Sequence, residues 1–465
     1  MNRWTTLLTF TGLILLLAVG CTNPGASNNS NGNPPPNGTA NGNDNGGNSI
    51  GGNTNNNDNN NQNDNGSGGP TASFPAGRMP QLTGIRITNT GRIESGDDVI
   101  AFTGVNSTGE ATVQYILASQ LDTSPRPIPE ANRFDPDSFI VAGDKIILLR
   151  DLSTTGRQFA LTVFDPLDDS LTPIPNADIS IANIPIDPLA PGFITSDLNL
   201  VATFNNTGFG RAEGDEVIRV IDVSTTPPQI IRFAVNPESD NISTIAQVLI
   251  DAESRTVVVA RAVPRKFYVY DIDSPTDPPT EFDVGPLSDL LPVESPFAFD
   301  RGLLVYTGRQ LNNEAPFLLD VTIDLNTPVS ITTDLRGAEG HQLLGNFFGV
   351  ITDDGALTGT LPDLAATPPD PSGGDATGDT LAIGMTSDGG MQPIWFVGTR
   401  GGISTQSTIQ FSSGDGVWSN LADPNNPEEA LPAGDVHANE NGNLLAFRHV
   451  TGTQHQIAYI NLSDN

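Results

Sequence analysis

Short apolar runs, four to six residues long and fenced by Gly, Pro, Asp or Asn, recur from Leu82 onward and leave little room for anything but strands. Val99-Ile100-Ala101-Phe102, Lys145-Ile146-Ile147-Leu148-Leu149, Leu200-Val201-Ala202-Thr203-Phe204 and Thr256-Val257-Val258-Val259-Ala260 are examples. β-Branched side chains fit a pleated surface, and the residues around them turn the chain. No long segment carries helical periodicity. The runs also repeat on a larger scale. Two apolar residues and an acid close a strand at Val163-Phe164-Asp165, Val220-Ile221-Asp222, Val269-Tyr270-Asp271 and Thr322-Ile323-Asp324. Ile116-Leu117 and Tyr459-Ile460-Asn461 are degenerate copies. A strand pair with a tight turn precedes each copy. A Pro-rich stretch and another short strand follow, as in Thr225-Thr226-Pro227-Pro228-Gln229-Ile230-Ile231.

Four strands in about 50 residues is the period of a β-propeller blade. The expected fold is all-β: a single propeller over residues 81–465, with about seven four-stranded blades and six or eight possible. The units centre near residues 110, 155, 210, 260, 310, 390 and 450. Residues 361–378, rich in Pro, Gly and Asp, are expected as an insertion in the sixth; a hidden unit there would raise the count to eight. A spare strand at 84–88, and a last unit that lacks its fourth strand after 457–462, predict that the N- and C-terminal strands pair and leave no sheet edge open. Phe267-Tyr268-Val269-Tyr270-Asp271-Ile272-Asp273 resembles the strand ending of TolB-like, WD40-like repeats in bacterial envelope proteins. Asn439-Glu440-Asn441-Gly442-Asn443-Leu444-Leu445-Ala446-Phe447 resembles their turn and following strand. The resemblance implies the same architecture.

Residues 1–20 are expected to be a signal peptide outside the fold. Arg3 gives a positive start, and the apolar run from Leu7 to Val19 is shorter than the ~20 residues of a membrane-spanning helix. Ala18-Val19-Gly20-Cys21 resembles the lipobox of bacterial lipoproteins, in which small residues precede a Cys that is lipidated and becomes the mature N-terminus. Cys21 is the only cysteine in the chain. The resemblance implies lipidation at Cys21 and a bacterial membrane as partner, held through about 0.8 kcal/mol per buried CH₂. Thr22, not Asp, follows, which in lipoproteins of diderm bacteria implies no retention at the inner membrane. The outer membrane or cell surface is the expected location.

Residues 21–80 read as the lipidated Cys and a tether. Positions 22–70 are almost entirely Asn, Gly, Ser, Asp, Pro and Thr, too poor in apolar surface to offset the entropy of ordering. As a coil this stretch would span roughly 35–40 Å. Of the chain's 54 acidic and 21 basic side chains, Asp44, Asp58, Asp64 and Arg3 precede residue 71, which leaves 51 against 20 and a net charge of −31. Such a body repels nucleic-acid phosphate and anionic lipid, so no nucleic-acid partner is expected. A single Cys excludes an intramolecular disulfide, a Cys-based zinc site and an iron–sulfur site.

Few side chains stand out as candidate chemistry. His437, His449 and His455 lie close in sequence and would suit a divalent metal if the last unit gathered them, but their spacing fits no ligand motif, and no metal ligand is assigned. Asp353-Asp354-Gly355, Asp388-Gly389-Gly390 and Asp415-Gly416 offer carboxylates, although Asp-Gly is foremost tight-hairpin chemistry. Arg261, Arg265 and Lys266 are the densest basic patch. No Gly-x-Ser-x-Gly motif and no phosphate-binding loop of the P-loop pattern occurs, so no catalytic residue is assigned and the cofactor is unknown. The expected function is a lipid-anchored binding or scaffold module for a protein or carbohydrate at the cell envelope. The alternative is a lactonase- or glycosidase-like propeller enzyme, whose innermost strands, such as 193–197 and 436–439, would place acids or His in the central channel.

Overall fold

The computed structural model describes residues 71–72 and most of 78–463; the longest stretches left out within that span are 181–193, 205–217, 234–244, 284–296 and 362–371. The signal peptide, Cys21 and nearly all of the expected tether lie outside the described residues. Among the described residues there is no α-helix, only a 3₁₀ turn at Ala118–Gln120, and no helix is long and apolar enough to cross a membrane.

The strands pair as up-and-down antiparallel meanders. The innermost strands of successive units are Ile93–Ser95, Phe139–Ala142, Ile194–Asp197, Ile245–Asp251, Phe297–Asp300, Glu339–Leu344, Thr380–Thr386 and Ala433–Ala438. We number the units one to eight in that order. Three further strands follow in each of the first seven, as in Leu200–Phe204, Ile218–Asp222 and Gln229–Arg232 of unit three. Unit eight takes its outermost strand from far away in sequence: Gln81–Ile87 pairs antiparallel with Gln454–Asn461. Each innermost strand packs on the next one round, and Ile93–Ser95 packs on Ala433–Ala438. The fold is a β-propeller.

Composition follows position in the unit. The second strands are buried on both faces by neighbouring units, so they read as continuous apolar runs rather than alternating ones. Val99–Val105 and Leu444–Thr451 are buried over nearly their whole length. The outer strands, such as Ser170–Pro173 and Gln229–Arg232, are exposed at their ends and half-buried between. The core is therefore divided among the seams. Ala142, Ile147 and Leu161 of unit two pack on Ile194, Val201 and Ile221 of unit three. Ile100, Phe102 and Ile116 of unit one pack on Leu444, Ala446 and Ile457 of unit eight. The seam between units six and seven has the smallest apolar cluster: Ile351, Ala356, Leu381 and Val397, with Trp418 against it. There the buried Trp395 indole N–H donates to the Phe348 carbonyl across the seam at 2.9 Å.

The acid that ends the third strand in units two to five has a local task. Asp165, Asp222, Asp271 and Asp320 accept a hydrogen bond from the backbone N–H two residues on, at 2.8–3.0 Å, and so pin the turn to the outer strand. In unit five the equivalent acid is Asp320, after Leu318-Leu319, and not Asp324, which lies outside the described residues. The unit beyond the seven centred from sequence spans Glu339–Leu344, Phe347–Thr352, Gly355–Thr360 and Ser372–Gly373. Its third strand ends in Thr360 rather than an acid, and glycines break its apolar runs, so neither sign of a repeat is present. Most of the expected insertion at 361–378 lies outside the described residues.

Candidate functional site

Among the described residues, the hairpins between first and second strands lie at the same end of the innermost strands, and this end gathers carboxylates from distant parts of the sequence. Asp97 and Asp98 belong to unit one, Asp144 to unit two, Asp197 to unit three, Asp251 to unit four, Asp300 to unit five and Glu440 to unit eight. Three of them hold the next unit, and Asp144 holds the one before. Asp197 Oδ2 accepts the Ala252 N–H at 2.5 Å, and Asp251 Oδ2 accepts the Gly302 N–H at 2.6 Å. Asp300 accepts the Gly345 N–H. Asp144 Oδ1 accepts the Asp98 N–H at 2.8 Å. Each carboxylate replaces the water that a turn N–H would lose at the seam, so that N–H keeps a partner. Asp251 is fully buried and also takes the Ser254 hydroxyl and the Glu253 N–H.

Crowding these acids changes their protonation. Burial, with Asp251 and Asp300 nearby, pushes the Asp197 carboxyl up to about 7, against the opposing Ala252 hydrogen bond. Burial and the Asp197 and Asp97 charges push Glu440 up to about 8. Asp97 and Asp300 are raised as well, chiefly by burial. The cations adjacent in sequence already have partners: Lys145 pairs with Asp165, Arg255 with Asp273 and Arg301 with Glu253.

The second concentration of polar side chains lies at the seam between units eight and one. Arg448 is 2 % exposed, and its guanidinium donates to the Thr88 and Gly91 carbonyls and to Asp435 Oδ2, the last at 3.2 Å. Asp435 Oδ1 lies 3.2 Å from His437 Nε2. Burial alone would raise the Asp435 carboxyl, but His437 and Arg448 outweigh it and hold this group well below the usual carboxylate range. Gly91 is required here: a Cβ would stand 2.2 Å from Thr88 Oγ1 and 2.5 Å from Thr103 Cβ.

The three histidines are not brought together. Val450 pairs with His455 and His449 with Gln456, so His449 and His455 point to opposite faces of their hairpin. Arg448 lies close enough to His455 to lower its basicity, secondary to burial. Among the described residues no group of three or more His, Cys, Asp or Glu could hold a metal ion. The acidic positions Asp353, Asp354, Asp388 and Asp415 lie outside the described residues. Of the basic patch, Lys266 pairs with Glu281 on the neighbouring strand at 2.7 Å, and Arg261 stands opposite it in the register. The sequence reading missed the clasping role of Asp197, Asp251 and Asp300. Their signal was visible: an acid at the end of the first strand recurs about every 50 residues. Arg448 carries no such signal, because the carbonyls it holds are over 350 residues away in sequence.

No protein-family model matches the chain, and no curated protein does. Solved structures similar to it are propellers. The Dos1 propeller is 10% identical over 83% of this chain and 96% of its own, with a TM-score of 0.49. The β-propeller domain of the Trilobed protease from Pyrococcus furiosus is 13% identical over 75% of this chain and 100% of its own, with a TM-score of 0.40.

Proposed function

We propose that this chain is a lipid-anchored lipoprotein whose propeller serves as a rigid binding or scaffold module at a bacterial cell envelope. Lipidation at Cys21 supplies the anchor, residues 22–70 the tether, and the propeller a body with loops on two faces. Eight units, with Gln81–Ile87 completing the last, would form a closed ring without a free edge strand. The observation that carries the non-catalytic part is the use of the acids. Asp197, Asp251 and Asp300, at the ends of innermost strands where an enzyme of this architecture would hold its carboxylates, accept backbone N–H groups from the next unit. A carboxylate so engaged stiffens the ring. The partner is a protein or carbohydrate, since the net charge of −31 over residues 71–465 disfavours nucleic acid.

Two measurements test this reading. Metabolic labelling with a fatty acid, followed by membrane fractionation, is expected to find label and protein together in the membrane, and Cys21→Ser is expected to lose the label and release the protein. Protein that stays in the membrane without Cys21 would remove the anchor from the proposal. Crosslinking in intact cells, with capture and mass spectrometry, is expected to recover one or a few partners in near-equal amounts. Recovery of the protein alone would favour the lactonase- or glycosidase-like alternative.

A further inference from the structure

Among the described residues one hairpin reaches further than the rest. Residues 439–443 join the first two strands of unit eight, and they touch its two neighbours and units beyond them. The Asn441 amide donates to Asp97 Oδ1 of unit one at 2.6 Å. The Gly442 carbonyl accepts the Met385 N–H of unit seven at 2.7 Å. Gly442 has φ +67° and approaches so closely that a Cβ would stand 2.6 Å from a Leu344 methyl of unit six and 2.9 Å from the Ile383 carbonyl. Glu440 reaches the other way, toward the backbone N–H groups of Gly143 in unit two and Leu198 in unit three, which favour its ionised form. Leu198 sits at φ +46°, a left-handed conformation that a bulky residue adopts only under constraint from its surroundings. A hairpin that meets units one, two, three, six and seven lies across the mouth of the ring. Its own loop is stiff: Asn439 accepts the Leu444 N–H at 3.0 Å and donates to Asn443 at 2.7 Å.

At the seat of Glu440, burial and like charges outweigh the Leu198 and Gly143 N–H groups and favour the acid over its anion. Oε2 is buried with no hydrogen-bond partner. The charged groups that face it are Asp97 on unit one and Asp197 on unit three, both acidic. Behind them stand Asp144 beside Asp97, and Asp251 and Asp300 beside Asp197. Units six and seven present Leu344 and Met385. Lys145, Arg255 and Arg301 are held by Asp165, Asp273 and Glu253. An ionised carboxylate here would be a buried charge with like charges beside it, which a protonated group avoids.

We propose that the 439–443 hairpin is an acid-closed plug over one mouth of the propeller channel, seated while Glu440 is protonated and released when it ionises. The direction follows from proton linkage. Glu440 binds its proton more tightly folded, up to about 8, than the ordinary 4.5 of an exposed Glu, so ionisation favours release. The seated form is fully favoured at the acid end and loses stability as the pH rises through that window. Asp197, raised to about 7, acts in the same sense. The inference rests on the hairpin's own contacts and does not depend on the lipoprotein reading.

Hydrogen exchange on the full chain between pH 5.5 and 9 tests it, with each amide corrected for its intrinsic rate. Protection of the Met385 N–H is expected to fall at least about ten-fold across this range, while Val258 in the centre of unit four holds. Glu440→Gln, which keeps the shape and removes the charge, is expected to reduce the pH dependence at Met385 several-fold, the remainder coming from Asp197. Met385 protection that is flat with pH in the wild type, or equally pH-dependent in Glu440→Gln, would overturn the proposal. If the variant does not fold, the wild-type profile decides.

Discussion

Two seams of the ring meet the same demand in different ways. Between units four and five, a fully buried Asp251 carboxylate accepts the N–H of a turn glycine on the next unit, and the partners are 51 residues apart. Between units eight and one, a buried Arg448 guanidinium donates to the Thr88 and Gly91 carbonyls, with Asp435 balancing its charge. The first device is local and repeats with the unit. The second occurs once, where strands from opposite ends of the propeller sequence meet. A repeat can copy a short-range acceptor from unit to unit, but the joining seam pairs segments that no repeat aligns. It carries a fixed, planar cation whose several donors satisfy carbonyls on both sides.

The largest predicted effect breaks the joining seam. Arg448→Met leaves Asp435 buried beside His437 without its guanidinium partner, and leaves two carbonyls without donors. A loss of about 3–5 kcal/mol is expected in equilibrium denaturation. Adding Asp435→Leu is expected to restore part of it, because the unpaired charge goes; no restoration would mean that the carbonyl contacts, rather than the charge, dominate. Asp251→Ala is next. It strands the Gly302 N–H inside the protein and is expected to cost about 1–3 kcal/mol. A cost equal to that of Arg448→Met would show the two kinds of seam to be equivalent. The smallest effect is expected from Lys266→Ala, since the pair with Glu281 is partly exposed, with side chains 30% and 43% accessible, and such pairs contribute about 0–1 kcal/mol.

Much of the fold was legible because burial in a propeller writes itself into the chain. Second strands such as Leu200–Phe204 and Thr256–Ala262 are enclosed on both faces, so they appear as unbroken β-branched runs. Asp165, Asp222 and Asp271 mark the end of third strands because a turn there needs a side-chain acceptor. Unit six was illegible for the same reason reversed: it lacks the acid, and Gly349, Gly355 and Gly359 dilute its runs. The candidate histidines failed on register. Adjacent positions on a strand face opposite sides, and the pairing of Val450 with His455 separates His449 from His455.

The sequence by itself determined strand, turn and repeat, since these depend on residues a few positions apart and on whether a face meets water. It also holds the Cys21 pattern that resembles a lipobox, and the acidity that turns the body away from nucleic acid. Only the tertiary structure decided which carboxylates are clasps and which stand alone. Asp251 and Glu440 are both hairpin acids in sequence. One clasps the adjacent unit, while the other reaches past its neighbours to like charges from units one and three. That difference arises from how close the hairpins come when the ring is assembled, a distance that no local pattern encodes.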